Sequence, residues 1–238
     1  DPMREAEGFG SEIVFPEDGV PFAPKPFLEN LSDIGKLKVY DPSSCRRTND
    51  RLLAIRKMKE YAGKECAVQG WVEGALAEAC DLRGINHLMM EMKTDPDAVM
   101  DLLEICVRQA IEFALAQVRA GADIIGIGDA AASLIGPAMY DEFALPYERR
   151  ITEAVHGAGA RTKLHICGNI GKLLMKVVET GADIIDCDWM VDFKSAVEAF
   201  GSRASACGNF DPVAVLLEGK PADVTAAVKE CLSVSSPT

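Results

Sequence analysis

The chain has 238 residues, of which 48% are hydrophobic and 26% charged, with a formal net charge of −12. This composition supports a sizeable hydrophobic core and excludes global disorder. The acidic balance disfavours nucleic acid as a partner, because phosphates are bound by basic surfaces. No apolar run approaches the roughly 20 residues that cross a bilayer, so no membrane partner is expected. The eight cysteines show no compact disulfide spacing, which indicates reduced thiols and a cytoplasmic location.

The predicted secondary structure alternates between short apolar runs and amphipathic stretches. Strands are predicted at Glu12–Phe15, Ala67–Trp71, Asp123–Ile127, Arg161–Cys167, Asp183–Cys187 and Arg203–Cys207. Helices are predicted at Asn49–Tyr61, Asp95–Arg119, Pro137–Gly157, Ile170–Glu179, Val191–Phe200 and Pro221–Leu232. The proline-rich segment 16–42 between the first two strands is predicted to run extended over the surface.

The pentapeptide Gly-Ala-Asp-Ile-Ile occurs twice, at residues 121–125 and 181–185. In each copy the glycine follows an amphipathic stretch, where it is a typical helix stop, and the isoleucines resemble a buried parallel strand. The chain therefore consists of repeated β/α units, which form either an open doubly wound sheet or a closed (β/α)8 barrel. The run Gly126-Ile127-Gly128 lacks the third glycine of a dinucleotide-binding turn.

Polar residues at the carboxyl ends of the predicted strands favour the barrel, because a barrel gathers those ends around one mouth. These residues are Glu73, Asp129, His165 with Cys167, Asp186 with Asp188, and Asn209 with Asp211. We predict a single (β/α)8 TIM barrel domain over residues 1–238. Six predicted strands instead of eight, and the absence of an initial methionine, suggest that the barrel is incomplete at both ends.

The tetrapeptide His165-Ile166-Cys167-Gly168 ends one of these strands. Side chains two apart in a strand share a face, so the imidazole and the thiol point the same way, and both are zinc ligands. The glycine lets the chain turn sharply at the strand end. Two ligands alone do not make a metal site, and a packed cysteine beside a hydrogen-bonded histidine is the alternative interpretation.

Four further stretches resemble the uroporphyrinogen decarboxylase superfamily, in order along nearly the whole chain. They are Gly70–Gly74, Gly126–Pro137, Phe143–Tyr147 and Gly208–Pro212. The resemblance implies a (β/α)8 barrel. One branch of the superfamily contains decarboxylases that need no metal, and the other contains methylcobamide:coenzyme M methyltransferases with zinc on a His-X-Cys motif. The segment His165–Asn169 resembles the methyltransferase version.

The methyltransferase resemblance implies Zn²⁺ held by His165 and Cys167, and a methylated corrinoid, carried by a corrinoid protein, as methyl donor. It implies a small thiol such as coenzyme M as acceptor, activated as a thiolate. The family's third zinc ligand follows the last barrel strand, which is expected to lie beyond Thr238. Cys207 is the weaker candidate for that ligand, and core packing is the favoured interpretation of it.

The resemblance and the strand ends together nominate further site residues. Asp129 and Asp188 are the candidate catalytic carboxylates. Asp129 is expected to contact the corrinoid, position the acceptor or orient His165, with helix capping as the alternative. The remaining candidates for binding substrate or cofactor are Glu73, Tyr140, Asn209 and Asp211, of which the last two are also expected to fix their own loop.

Two other functions remain open at this point. One is cofactor-free decarboxylation of a tetrapyrrole, which needs no metal and a basic clamp, whereas the predicted mouth is mostly acidic. The other is a non-catalytic corrinoid-binding module that lacks the third zinc ligand. An incomplete barrel also exposes strand edges, which favours pairing of two copies as a homodimer.

Overall fold

The computed structural model describes residues 3–235 and contains one parallel sheet. Its strands are β1 (Gln69–Glu73), β2 (Ile124–Gly128), β3 (Arg161–Ile166), β4 (Ile184–Cys187) and β5 (Ser205–Cys207). Their order in space is their order in the chain, and every neighbouring pair is parallel. A doubly wound sheet reverses its strand order at a switch point, so the uninterrupted order identifies an arc of a (β/α) barrel.

Helices connect and cover the strands on one face of the sheet. They are α1 (Arg4–Phe9), α2 (Arg46–Ala62), α3 (Ala75–Arg83), α4 (Ile85–Thr94), α5 (Pro96–Ala120), α6 (Pro137–Phe143), α7 (Leu145–Gly157), α8 (Leu174–Val177), α9 (Phe193–Phe200) and α10 (Pro221–Val234). Helix α5 packs against α2, α3, α7 and β1, and is the central helix of the outer layer. Among residues 3–235 no helix is long and apolar enough to cross a membrane.

The strands alternate between an outer and an inner face. The outer side chains, such as Val72, Ile125 and Leu164, are buried against the helices. The inner face carries one row of residues in register across all five strands, namely Glu73, Gly128, His165, Asp186 and Cys207. Because this row lies at or near the carboxyl ends of the strands, it forms the wall of the barrel mouth.

The Gly-Ala-Asp-Ile-Ile repeat fastens neighbouring strands at the opposite end of the sheet. In the first copy Asp123 Oδ2 accepts a hydrogen bond from the Val68 amide at 2.8 Å. In the second copy Asp183 Oδ2 accepts one from the Thr162 amide, also at 2.8 Å. Each aspartate stands just before a strand and binds the preceding strand through its side chain. The repeat therefore has a structural role at the amino-terminal ends of the strands.

Two predicted elements need correction. Glu12–Phe15 is not a strand, because its only pairing within the described residues is an isolated bridge between Val14 and Phe22. The barrel arc therefore has five strands rather than the six predicted. The helix predicted over Pro137–Gly157 is two helices, divided at Ala144, where Pro146 in the first turn of α7 lacks the amide that a continuous helix needs.

Candidate active site

His165 and Cys167 meet at the end of β3, as strand alternation predicts. The Nε2 atom of His165 lies 2.9 Å from the Sγ atom of Cys167. Gly168 turns the chain away directly afterwards with a φ of 93°, a conformation that glycine adopts without strain. Cys167 is exposed and His165 is half-buried, so the nitrogen–sulfur pair faces the open mouth.

Asp186 approaches the same histidine from β4. Its Oδ2 atom lies 3.3 Å from His165 Nδ1 and 3.0 Å from Lys163 Nζ. Burial acts to raise the pKa of Asp186, but His165 and Lys163 outweigh it and lower the pKa to about 2. The interaction with Asp186, followed by that with Cys167, raises the pKa of His165 to about 10. The mouth therefore contains a carboxylate that orients the imidazole from behind.

These donors suit a zinc ion in kind. Zinc in proteins takes histidine nitrogen and cysteine sulfur, and the second nitrogen of the ligating histidine usually faces a carboxylate. Asp186 provides that carboxylate, since its Oδ2 atom lies 3.3 Å from His165 Nδ1. Between residues 3 and 235 no three His, Cys, Asp or Glu side chains are arranged to hold a metal.

Trp71 forms the wall beside this pair. Its ring centroid lies 6.2 Å from that of His165, and its Nε1 donates to Glu73 Oε1 at 3.2 Å. A Cβ atom at Gly126 or Gly128 would overlap the indole, so both glycines of the Gly-Ile-Gly run make room for it. The glycines of β2 thus have a packing role.

Glu73 faces the N-terminal helix at the end of β1. Its amide donates to the buried carboxylate of Glu5 on α1, at 3.1 Å. Burial, and then the charges of Glu5 and Asp81, raise the pKa of Glu73 to about 8. Glu73 therefore lies in the predicted row at the mouth, in surroundings that favour its neutral form near neutral pH.

Asp129 and Tyr140 are both fully buried. Asp129 Oδ1 accepts from the Ala77 amide at 2.9 Å, and the Asp129 amide donates to the His165 carbonyl at 3.0 Å. Burial, and then the Glu148 charge, raise the pKa of Asp129 well above its usual range. Tyr140 donates its hydroxyl to Glu148 in the same buried cluster. The direct substrate contacts predicted for these two side chains stay predictions.

Asp188, Asn209 and Asp211 shape the loops that follow β4 and β5. Asp188 Oδ1 accepts from the Met190 amide at 2.9 Å, and Asn209 Nδ2 donates to the Asp188 carbonyl at 2.9 Å. Asp211 Oδ1 accepts from the Val213 amide at 2.8 Å, at the start of the following helical turn. The carboxylate that meets His165 is therefore Asp186, whereas Asp188 holds its own loop.

Cys207 lies in the inner row, opposite Asp186 in register. Burial, and then the charge of Asp186, raise the pKa of its thiol. Strand β4 separates Cys207 from His165 in the sheet. Cys207 thus lines the mouth, in a position that differs from the core packing favoured by the sequence.

Comparisons with known proteins agree with this geometry. The sequence pattern described as uroporphyrinogen decarboxylase (URO-D) matches residues 1–237. The chain belongs to the uroporphyrinogen decarboxylase family. It is 37% identical over 235 residues to "Methylcobamide:CoM methyltransferase MtbA" of Methanosarcina mazei, with 98% of this chain and 68% of the relative covered. The protein of the same name in Methanosarcina acetivorans is 36% identical over 237 residues, with 98% and 69% covered.

A solved structure described as "methyltransferase from Methanosarcina mazei" matches with a TM-score of 0.90 and 26% identity, covering 98% of this chain and 69% of that one. The predicted resemblance and the barrel class are confirmed. The sequence analysis did not identify Trp71 as a wall of the site in this family member. The signal that could have revealed Trp71 was the pair of glycines inside strand β2, which lie in register with Trp71 and Glu73 on the neighbouring strand β1.

Proposed function

We propose that the chain is a zinc-dependent methyltransferase that moves a methyl group from a methyl-Co(III) corrinoid on a corrinoid protein to a thiol such as coenzyme M. The observation that carries the proposal is the contact of His165 Nε2 and Cys167 Sγ, with Asp186 behind the imidazole. The relatives named methylcobamide:CoM methyltransferase support the same reaction for this chain.

The chain's own residues provide the environment of the reaction. His165 and Cys167 would hold the zinc, which when bound lowers the pKa of a thiol so that it is a thiolate at neutral pH. Asp186 lies behind the imidazole, where it would fix the ring orientation, and the indole of Trp71 lies beside the imidazole. The acceptor sulfur forms a bond to the methyl carbon, while the cobalt–carbon bond breaks and cobalt keeps its electron pair.

Among the described residues, Cys207 remains the weaker candidate for a third zinc ligand. We also propose a cytoplasmic reaction, since all eight cysteines are free thiols in the structure. Pairing of two copies along the exposed strand edges, as a homodimer, remains part of the proposal.

Metal content and methyl transfer test this proposal together. The purified chain is analysed for zinc and assayed for transfer from methylcobalamin to coenzyme M, beside His165→Ala and Cys167→Ala. We expect about one zinc per chain in the wild type, and loss of both zinc and transfer in each variant. Elemental analysis measures the zinc content directly, so a variant that loses activity but keeps its zinc is distinguished from one that no longer binds zinc.

The alternatives make different predictions in the same experiment. A folded wild-type chain without zinc, also after extension by the family's last strand, would contradict the proposal and favour metal-free decarboxylation. Zinc and corrinoid binding without methyl transfer would instead indicate a binding module. Lys163, a cation on the inner face of the described strands, is paired with Asp186, so its charge is not free for a polycarboxylate substrate.

A further inference from the structure

We propose that Trp71 determines the specificity of the site for small thiols, by forming the wall against which the carbon chain of the acceptor packs. This inference rests on the proposed function, and deepens it by naming a residue that selects among thiols of different chain length. It starts from a side chain that the sequence did not nominate and that contacts one of the two candidate ligand residues.

The position of the indole is enforced by backbone rather than by flexible side chains. Trp71 is in register with Gly126, and Glu73 with Gly128. The six-membered ring lies against Gly126, and the atoms Cζ2 and Cε2 lie against Gly128, where a Cβ atom would come within 2.5 Å of the ring. The indole therefore lies flat against the inner face of β2, from Gly126 to Gly128, which is the residue in register with His165.

The hydrogen bond from Nε1 to Glu73 fixes the direction in which the ring faces. With its nitrogen bound at the β1 edge, the ring presents its face and its far edge to the barrel interior. Trp71 is only half-buried, so part of the ring surface remains available to a ligand in the mouth. A rigid aromatic surface of this kind binds alkyl groups at little cost in conformational entropy.

The opposite wall has the contrary character. Lys163, Asp186 and Cys207 project from β3, β4 and β5, and their polar atoms contact one another. A thiol whose sulfur lies at His165 and Cys167 has its carbon chain between these walls, and the apolar chain is favoured on the Trp71 side. Since the ring is held by backbone, a longer chain cannot be accommodated by moving it.

The acceptor preference of Trp71→Ala tests the wall directly. Wild type and variant are compared for kcat/KM with coenzyme M and with 3-mercaptopropanesulfonate, which is one methylene longer. We expect Trp71→Ala to shift the ratio toward the longer thiol by about tenfold, a typical value for one methylene in a pocket. Gly128→Ala, which displaces the ring from the other side, is expected to change the ratio as well while leaving Trp71 in the chain.

Fluorescence supplies a readout that does not depend on activity. The chain has two tryptophans, so Trp189→Phe leaves Trp71 as the single reporter, and Trp71→Phe is the matched variant that leaves Trp189. Titration of the zinc-loaded Trp189→Phe protein with coenzyme M is expected to change the emission of Trp71, with a midpoint near the KM for the thiol. The Trp71→Phe protein is expected to show no such change.

The outcomes separate this inference from the proposed function. If the wild type transfers methyl groups but the Trp71 and Gly128 variants keep the wild-type acceptor ratio, and the emission of Trp71 ignores the thiol, the wall is wrong and the function stands. If the wild type binds no zinc and transfers nothing, both fall. Circular dichroism of each variant is compared with wild type, and a variant that does not fold is replaced by Trp71→Phe, for which a smaller shift in the same direction is expected.

Discussion

His165 and Asp186 face each other across the β3–β4 pair, with the Nδ1 and Oδ2 atoms 3.3 Å apart. The two residues are direct register partners, so their contact follows from the pairing of the strands and needs no loop. Because the other ring nitrogen points to Cys167, the carboxylate determines which edge of the imidazole is presented to the mouth.

The first prediction concerns this carboxylate. Asp186→Asn is expected to weaken zinc binding about 10- to 100-fold, the usual effect of removing a carboxylate behind a ligating histidine. Zinc affinity is measured by competition with a chromogenic chelator. Asp188→Asn is the matched control, since Asp188 accepts from the Met190 amide and not from His165, and it should keep affinity close to wild type. Equal losses in the two variants would contradict the assignment.

The second prediction concerns the repeat aspartates. Hydrogen bonds with Lys59 and Val68 lower the pKa of Asp123, and hydrogen bonds with Thr162 and His156 outweigh burial to lower that of Asp183. Asp123→Asn and Asp183→Asn are each expected to reduce the free energy of unfolding at neutral pH by about 1 kcal/mol, a value discounted for partial exposure.

The sign of the pH dependence follows from the lowered pKa values of these aspartates. Their stabilisation is present above the unfolded-state pKa of about 3.9, and is lost as pH falls through the lower folded-state pKa. In urea unfolding the variants should therefore approach wild type as the pH is lowered from 7 toward 3. Asp141→Asn removes an exposed ion pair with Lys176 and should have a smaller effect at neutral pH. A constant deficit at every pH would refute the charge argument.

The third prediction concerns the buried carboxyl cluster. Burial raises the pKa of Glu148 to about 7, against the opposing hydrogen bond from Tyr140. The folded chain therefore binds more protons than the unfolded chain between about pH 4.3 and 7, so stability falls as the pH rises through that window. Glu148→Gln keeps an acceptor for Tyr140 but cannot ionise, and is expected to give a flatter profile.

Thermal unfolding from about pH 5 to pH 8 measures this effect. The exposed Glu142 on α6 is the control position, and Glu142→Gln should retain the wild-type slope. A Glu148→Gln profile parallel to wild type would show that the cluster does not titrate with folding.

The fourth prediction concerns α1, whose Glu5 caps the end of β1. A Cβ atom at Gly8 would overlap the ring of Tyr40, whereas one at Gly35 meets nothing within 4 Å. Gly8→Ala is expected to cost about 1–3 kcal/mol through overpacking, and Gly35→Ala to be nearly neutral. Hydrogen exchange at the Glu73 amide should become faster only in Gly8→Ala, because that amide donates to Glu5. Unchanged exchange would indicate that α1 adapts.

Sequence patterns predicted the features that depend on periodicity within one segment. The His165–Cys167 pair follows from alternation in a strand, and so does the presence of Asp186 on the same inner face. The burial of Asp129 could not be predicted in this way, because its carboxylate meets residues far away in the chain, such as the Ala77 amide 52 positions earlier. Asp188 was preferred over Asp186 since the end of β4, and hence the boundary between strand and loop, is not marked by the residue types.

Helix α3 was missed for a related reason. Nearly every residue of Ala75–Arg83 is buried, so the segment has no polar face to reveal a helical period. The opposite error occurred at Glu12–Phe15, where an apolar run resembles a strand although Phe15 is 57% exposed in the structure. The local sequence pattern indicates which residues favour burial, whereas the segments that bury them depend on the fold of the whole chain.

The repeat aspartates have a further consequence at the other end of the sheet. Asp183 sets the phase of β4 relative to β3, three residues before Asp186 takes its place opposite His165. A slip of one residue would turn Asp186 outward and put Ile185 or Cys187 beside the imidazole. The aspartate of the second pentapeptide thus fixes the register that places Asp186 opposite His165. A wrong register at the amino-terminal end of these strands would put the wrong side chain at the mouth.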